Sequence, residues 1–116
     1  MGKIKLSVLQ SNFLFNIARL IIYAHALGYN VTLGRGLVTP EENKKQGGIK
    51  KSLHLIAMAQ DLNFFKGGKY LTRTEDLAIF GKWWKAQGDV CTWGGDFKPP
   101  TKPDGNHFSH IYEGVK

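Results

Sequence analysis

The chain has 116 residues and a mass of 13.0 kDa, a length that builds one hydrophobic core. Hydrophobic residues make up 42% of it and charged residues 22%, which is globular usage and excludes a wholly disordered chain. A single cysteine, Cys91, excludes a disulfide-rich secreted scaffold and a thiolate zinc site. The formal charge of +7 suits any anionic polymer, whether nucleic acid, an anionic membrane face or a bacterial cell wall.

The first predicted element is a long helix over residues 7–27. Ser7 and Gln10 have the spacing of a capping box, apolar residues then recur every three or four positions, and Gly28 suits a left-handed cap. Because polar residues interrupt the apolar stretch, it resembles neither a signal peptide nor a membrane span. These interruptions are Gln10, Asn12, Asn16, Arg19 and His25. We therefore expect a buried helix of a soluble, monomeric protein without stable membrane insertion.

A short strand and a short helix are predicted next. Residues 29–33 are a strand candidate. Thr39 is placed as a helix cap, with Pro40 at the first helical position and Glu42 three residues after the cap. Because Gly47 and Gly48 follow soon afterwards, we expect this helix to be short.

The rest of the chain supplies most of the predicted sheet. Residues 52–65 are an apolar run of strand length, and the Lys-Gly-Gly-Lys sequence at 66–69 predicts a turn into a strand at 70–71. Thr72 and Glu75 form another capping box, opening a helix to Gly88 that is anchored by Trp83 and Trp84. Residues 90–93 and 107–112 are the last strand candidates. The expected fold is α+β: one small domain over residues 1–116, with helices packed on a mostly antiparallel sheet.

Two segments concentrate the residues that can do chemistry. His54 and Asp61 lie in the apolar run, where an ionised carboxylate is costly unless it is paired or binds a metal. Asp104 and His107 stand three apart after a Gly/Pro/Lys-rich loop. His54, Asp61 and His107 together offer two imidazole nitrogens and one carboxylate oxygen, which suits zinc and leaves a fourth position for water. A packed core histidine and an ordinary Asp104-Gly105 turn are the alternative interpretation.

Three motifs in one order carry a family resemblance. They are S-x-H-(x)6-D-L at 52–62, W-G-G-D-F at 93–97 and D-G-N-H-F at 104–108. Together they resemble the zinc peptidases of phage endolysins, which belong with the D-Ala-D-Ala carboxypeptidases and the vancomycin-resistance dipeptidases. The resemblance extends from about residue 29 to residue 113 and includes the T-P-E-E sequence at 39–42. Each motif alone is weak, but the set is specific.

The resemblance implies a role for each residue that matches the family motifs. It implies zinc ligands at His54, Asp61 and His107, with Asp104 as the general base three residues before the last ligand. Asp104 would accept a proton from the attacking water and pass it to the departing amine. Asp96 is the rival for the catalytic acid, and spacing favours Asp104.

Residues that would contact substrate are less well matched. Ser52 matches the family serine two residues before the first ligand, and Trp93 begins the segment that leads into the catalytic loop. Ala57 stands where the family often has Gly. Many relatives carry Arg just before the Thr-Pro pair to bind a substrate carboxylate or oxyanion, and this chain has Val38 there. Arg35, three residues earlier, is a candidate substitute.

The activity implied by the resemblance is zinc-dependent hydrolysis of a peptide bond in bacterial peptidoglycan stem peptides. The bond would be L-Ala-D-Glu or a D,D bond, and the +7 charge favours adhesion to the anionic wall. With no wall-binding domain and no export signal visible, we expect a phage endolysin in the host cytoplasm that reaches the wall through holin pores.

Two other classes of function stay open. A basic nucleic-acid-binding module or metal nuclease would use the positive charge, although a scarcity of Arg disfavours specific base readout. A non-catalytic virion relative is the other, and the intact set of candidate site residues argues against it. The remaining reactive residues are expected to be structural, and they are His25, Cys91 and His110.

Overall fold

A computed structural model describes residues 4–116, which form helices and short strands with three 3₁₀ turns between them. The helices are α1 (Leu6–Ala26), α2 (Pro40–Lys45) and α3 (Ala78–Lys85). The strands are β1 (Asn30–Leu33), β2 (Ala59–Lys66), β3 (Lys69–Tyr70), β4 (Cys91–Trp93) and β5 (His107–His110). The 3₁₀ turns are Leu53–Ile56, Thr74–Leu77 and Gly94–Asp96.

The sheet is antiparallel throughout the pairs that the structure describes. Its strand order is β1-β2-β5-β4, and β3 pairs with the far end of β2 through the predicted turn at 66–69. In the central pair, Asp61 of β2 lies directly opposite His107 of β5. The α+β prediction is therefore confirmed, and the sheet brings two of the proposed ligands side by side.

One face of this sheet is covered by α1 and α3. Side chains alternate along β5, so Phe108 and His110 point to this face while His107 and Ser109 point to the other. Phe108 packs edge-on against Trp84 of α3, and Trp84 packs in turn against Phe13 of α1. Both Trp84 and Phe108 are completely buried, which confirms Trp84 as the anchor of α3. The aromatic core thus lies on the face away from His107.

The prediction of a buried first helix is wrong in part. Only one side of α1 packs into the core, through Phe13, Ile17, Leu20 and Ala24. Among the described residues, α1 is the helix long and apolar enough to cross a membrane. The predicted capping box is also absent: α1 begins after Lys5 without a side-chain cap, because Gln10 Nε2 instead donates to the Ile56 carbonyl oxygen at 2.7 Å.

Other predicted boundaries divide between correct and incorrect. The Thr39 capping box is confirmed: Thr39 Oγ1 accepts from the Glu42 amide and Glu42 Oε1 from the Thr39 amide. The Thr72/Glu75 box is wrong, since Arg73 precedes the 3₁₀ turn Thr74–Leu77 without a side-chain cap. Residues 52–65 are not one strand either. A 3₁₀ turn occupies Leu53–Ile56 and ends at Ala57, whose φ of 55° is left-handed.

Candidate metal centre

His54 is held by the 3₁₀ turn that the sequence did not predict. Ser52 Oγ accepts from the His54 amide and so caps this turn. The imidazole is 1% exposed, and its Nδ1 lies 2.9 Å from the Gly36 carbonyl oxygen. Because a carbonyl oxygen only accepts, Nδ1 is the protonated nitrogen, and Nε2 of a neutral His54 keeps its lone pair. That lone pair is directed at the neighbouring Asp61.

Asp61 lies between two imidazoles. Its Oδ1 atom is 3.3 Å from His54 Nε2 and 3.3 Å from His107 Nδ1. Burial by itself raises the pKa of Asp61, but the adjacent imidazoles of His107 and His54 outweigh burial and lower this pKa to about 2. Asp61 is therefore ionised at neutral pH, as a carboxylate metal ligand must be.

The donor atoms of these three residues fit a metal ion. One ligand atom from each of His54, Asp61 and His107 lies within 4.8 Å of the others. His54 Nε2 and Asp61 Oδ1 are buried and lack a partner with hydrogen-bond geometry within the described part of the chain. The His107 nitrogen on the Asp61 side is Nδ1. A cation bound between these residues would satisfy the donor atoms together. Two nitrogens and one oxygen form a donor set that suits zinc.

The segment after β1 holds two of the candidate ligands through its backbone. The Gly34 amide donates to the Asp61 carbonyl oxygen at 2.8 Å, and the Asp61 amide donates to the Arg35 carbonyl oxygen at 2.7 Å. Gly36 accepts from His54, and the Val38 amide donates to the His54 carbonyl oxygen at 3.2 Å. Sequence reasoning missed this role of residues 34–38. The signal available was the Gly-Arg-Gly sequence, because a Cβ at Gly34 would come within 3.1 Å of Asp61.

Asp104 is placed next to His107 by a tight loop. Its amide donates to the Gly94 carbonyl oxygen at 2.8 Å, and the His107 amide donates to the Asp104 carbonyl oxygen at 3.1 Å. A Cβ at Gly94 would overlap the Asp104 carbonyl oxygen, so only glycine permits this approach. The Asp104 side chain is solvent-accessible, yet partial desolvation and the charge of Asp61 raise its pKa, against the opposing charges of His107 and others. A raised pKa brings a carboxylate closer to what a general base needs.

Trp93 has a different place from the predicted substrate contact. It is 7% exposed, and its ring is tightly flanked by Gly81 of α3 and by Gly95. Its Nε1 donates to the Gly105 carbonyl oxygen at 2.7 Å, which fixes the loop that carries Asp104. Trp93 is therefore in the core beneath the loop rather than in the wall of the groove.

A groove of about 530 Å³ opens over the candidate metal centre. Five predicted site residues line the groove: Arg35, Ser52, His54, Asp104 and His107. Its other lining residues include three apolar ones (Ile49, Phe97 and Val115) and two lysines (Lys102 and Lys116). The Arg35 guanidinium donates from one Nη to Gln46 at 3.1 Å, while its buried Nε has no partner among the described residues. Five of the seven predicted site residues therefore line one groove with a positive rim. The other two are Asp61, which lies beside His54 and His107, and Trp93, which lies beneath the Asp104 loop.

Other candidate residues lie away from this groove. Asp96, the rival catalytic acid, pairs with Lys85 at 2.7 Å on the surface. His110 and Cys91 are buried on the α1 face, with Cys91 Sγ 3.5 Å from His110 Nε2. Burial raises the pKa of the Cys91 thiol to about 11. Their structural interpretation agrees with these positions.

Comparison with known proteins gives a structural match and no sequence match. No protein-family model matches the chain, and no curated protein matches it. The fold is similar to the crystal structure of the Serratia marcescens L-Ala D-Glu endopeptidase ChiX, with a TM-score of 0.61. The match covers 83% of this chain and 78% of the Serratia chain at 21% sequence identity. At that identity the match establishes a fold shared with this L-Ala D-Glu endopeptidase.

Proposed function

We propose that this protein is a zinc-dependent hydrolase of a peptide bond in the stem peptides of bacterial peptidoglycan. The observation that carries the proposal is the convergence of His54, Asp61 and His107, with buried, unpartnered donor atoms beneath an open groove. The fold shared with a peptidoglycan endopeptidase supports the same conclusion. When bound, zinc supplies Lewis-acid chemistry, polarising a carbonyl and acidifying water.

Asp104 is the residue that we assign to proton transfer. Hydrolysis breaks the C–N bond of a peptide, joins a water oxygen to the carbonyl carbon and delivers a proton to the departing amine. Asp104 lines the groove beside His107. Two hydrogen bonds fix its loop: one from the Asp104 amide to the Gly94 carbonyl oxygen and one from Trp93 Nε1 to the Gly105 carbonyl oxygen. Its raised pKa suits a group that takes the water proton and returns it to the amine.

The charge of the groove favours an acidic substrate. Stem peptides carry carboxylates, and Arg35 lies in the groove with its Nε buried and unpartnered. Lys102 and Lys116 add positive charge at the rim. We infer that Arg35 binds the substrate carboxylate, a role for which Val38 has no suitable group, because a guanidinium presents paired donors to a carboxylate.

The bond that we favour is L-Ala-D-Glu, because the structural neighbour is named for that cleavage. A D,D-carboxypeptidase is the second candidate for the bond, since an arginine that lines the groove suits a terminal carboxylate equally well. For the biological setting we propose a phage endolysin, made in the host cytoplasm and released to the wall through holin pores. The motif resemblance supports this setting.

One experiment tests the metal and the reaction together. The metal content of the purified protein is measured by elemental mass spectrometry. Newly released amino groups are then quantified after incubation with purified peptidoglycan, with and without chelator. We expect one zinc per chain, release that chelator abolishes, and recovery on adding zinc; His107→Ala serves as the metal-free control. Mass spectrometry of the released peptides then identifies the bond.

Each failure of that experiment has a separate meaning. Zinc without release contradicts the proposed substrate and leaves the metal assignment standing. Absence of zinc from a folded protein contradicts the proposed metal centre. Salt-sensitive retention on DNA, together with DNA cleavage that needs the metal, would assign the groove to a nuclease instead.

A further inference from the structure

The outer side of α1 is apolar although it faces solvent. Val8, Phe15 and Ile22 are seven residues apart, so they lie on one line along the helix, directly opposite the buried side. Phe15 is 62% exposed and Ile22 is 68% exposed, and Leu14 beside them is 65% exposed. We name the surface formed by Val8, Leu14, Phe15 and Ile22 the α1 outer face. Surface apolar residues that stand singly need no explanation, whereas a row of large ones does.

The charges on α1 and on the residue that precedes it are all of one sign. No Asp or Glu occurs in the sequence before Glu41, so α1 has no carboxylate. Lys5 precedes the helix, and the exposed Arg19 lies on its surface with its guanidinium 5.6 Å from the ring of Trp83. Trp83 is partly buried and stacks on Tyr23. Basic and aromatic side chains beside an exposed apolar stripe are the pattern of helices that lie on a lipid surface.

We propose that the α1 outer face docks on an anionic lipid bilayer, with the helix lying in the plane of the membrane surface. Docking removes Phe15, Ile22 and Leu14 from water, and lipid phosphates neutralise Lys5 and Arg19. A second copy of the chain suits this face less well, because two α1 helices would bring like charges together with no carboxylate to pair them. Insertion across the bilayer is opposed by Phe13, Ile17, Leu20 and Ala24, which are committed to the core.

This orientation keeps the groove accessible. α1 packs on the sheet face of Phe108 and His110, while Asp61 and His107 lie on the opposite face. A domain docked through α1 therefore presents the groove away from the lipid. The docking proposal is independent of the proposed reaction, because it rests on α1 alone.

The test is flotation of the purified protein with lipid vesicles at low salt. Vesicles of equal phosphatidylglycerol and phosphatidylcholine are compared with vesicles of phosphatidylcholine alone. We expect binding to the anionic vesicles to be at least about tenfold tighter and to weaken as salt rises. Phe15→Ser combined with Ile22→Ser is expected to weaken it at least about tenfold.

Matched variants separate this face from general stickiness. Leu33→Ser removes a residue of β1 that is 72% exposed and is expected to leave vesicle binding unchanged. Ala18→Glu, also on the solvent side of α1, adds a carboxylate without removing packing and is expected to weaken binding to anionic vesicles. Thermal melting of each variant verifies that it is folded.

Three results would overturn the proposal. One is wild-type protein that does not float with anionic vesicles. Another is binding that survives both the double serine variant and Ala18→Glu, since lysines elsewhere would then hold the protein. The third is a dimer in sedimentation velocity that the double serine variant dissociates, which would assign the α1 outer face to a second copy.

Discussion

The two faces of the sheet differ in what holds their side chains in place. On the α1 face, rings pack on rings: Phe64 stacks on Phe80 with centroids 4.3 Å apart, and Trp84 contacts Phe108. On the opposite face, His54 and Asp61 are held by backbone hydrogen bonds from residues 34–38. A substitution on the α1 face should therefore change stability through packing, whereas one on the groove face should change metal binding and turnover.

The largest expected effect comes from substituting one histidine on each face of the sheet and comparing the two variants. His54→Ala removes a donor that the backbone has fixed, so we expect zinc to be lost and peptidoglycan cleavage to fall at least about a hundredfold. His110→Gln, on the opposite face, should keep its zinc. Elemental analysis and amino-group release measure both. Zinc at wild-type stoichiometry in His54→Ala would remove His54 from the ligand set.

The next largest effect separates the metal from proton transfer within the groove face. Asp104→Asn is expected to retain zinc and to lose about 10²- to 10⁴-fold in kcat, because the amide cannot take a proton. Asp96→Asn, which only breaks the surface pair with Lys85, should leave kcat unchanged. Steady-state kinetics on purified stem peptide measures both. The reverse result would move the catalytic role to Asp96.

A smaller effect probes the α1 face through pH. Burial lowers the pKa of His110 in the folded protein. Below a pH of about 6.5, the ordinary pKa of histidine, the unfolded chain therefore binds more protons at this residue than the folded chain does. Wild-type stability should therefore fall as pH drops below that value. The side chains packed on His110 are uncharged, namely Phe13, Asn16, Trp84 and Cys91.

Urea denaturation between pH 5 and 8 isolates this contribution when His110→Gln is compared with wild type. The variant should show a shallower loss of stability on acidification, by up to about 1.4 kcal/mol per pH unit. Identical slopes in the two proteins would show that His110 does not titrate on unfolding.

The smallest effect concerns the backbone under the metal centre. Ala57 holds a φ of 55°, which costs an L-residue with a Cβ about 1 kcal/mol. Ala57→Gly relieves that cost and is expected to stabilise the protein by about 0.5–1 kcal/mol, raising Tm by about 2–5 °C. Zinc content should not change. A lower Tm would mean that the Ala57 methyl group packs more favourably than its backbone is strained.

Ala57 also shows why the sequence predicted the fold better than the local boundaries. A Gly at that position would have marked a break in the run at 52–65, but Ala carries no such signal. The Thr39 box was predictable because Pro40 at the first helical position supports its three-residue spacing. The same spacing at Thr72 and Glu75 has no such support, and that box is absent. The Gln10 hydrogen bond was not predictable, because its partner, the Ile56 carbonyl oxygen, is 46 residues away.

For the candidate site too, local patterns were predictable and long-range contacts were not. The motif resemblance named His54, Asp61, Asp104 and His107 by their spacing. Their convergence needs the pairing of Asp61 with His107 across β2 and β5, which no local pattern reports. Trp93 was assigned to substrate contact because it begins the motif that leads into the catalytic loop. Its packing against Gly81 of α3, twelve residues earlier, is not visible in that motif.

The hydrogen bonds of residues 34–38 have a consequence for how this protein can diverge in sequence. Asp61 is held by the carbonyl oxygen of Arg35, while the guanidinium of the same residue faces the groove. The backbone and the side chain at position 35 are therefore under different selective pressures. Exchange of Arg35 for another residue changes the side chain that faces the groove, while the hydrogen bond from the Asp61 amide to the carbonyl oxygen at position 35 persists. Under the proposed function, substrate preference and the ligand scaffold can therefore change independently.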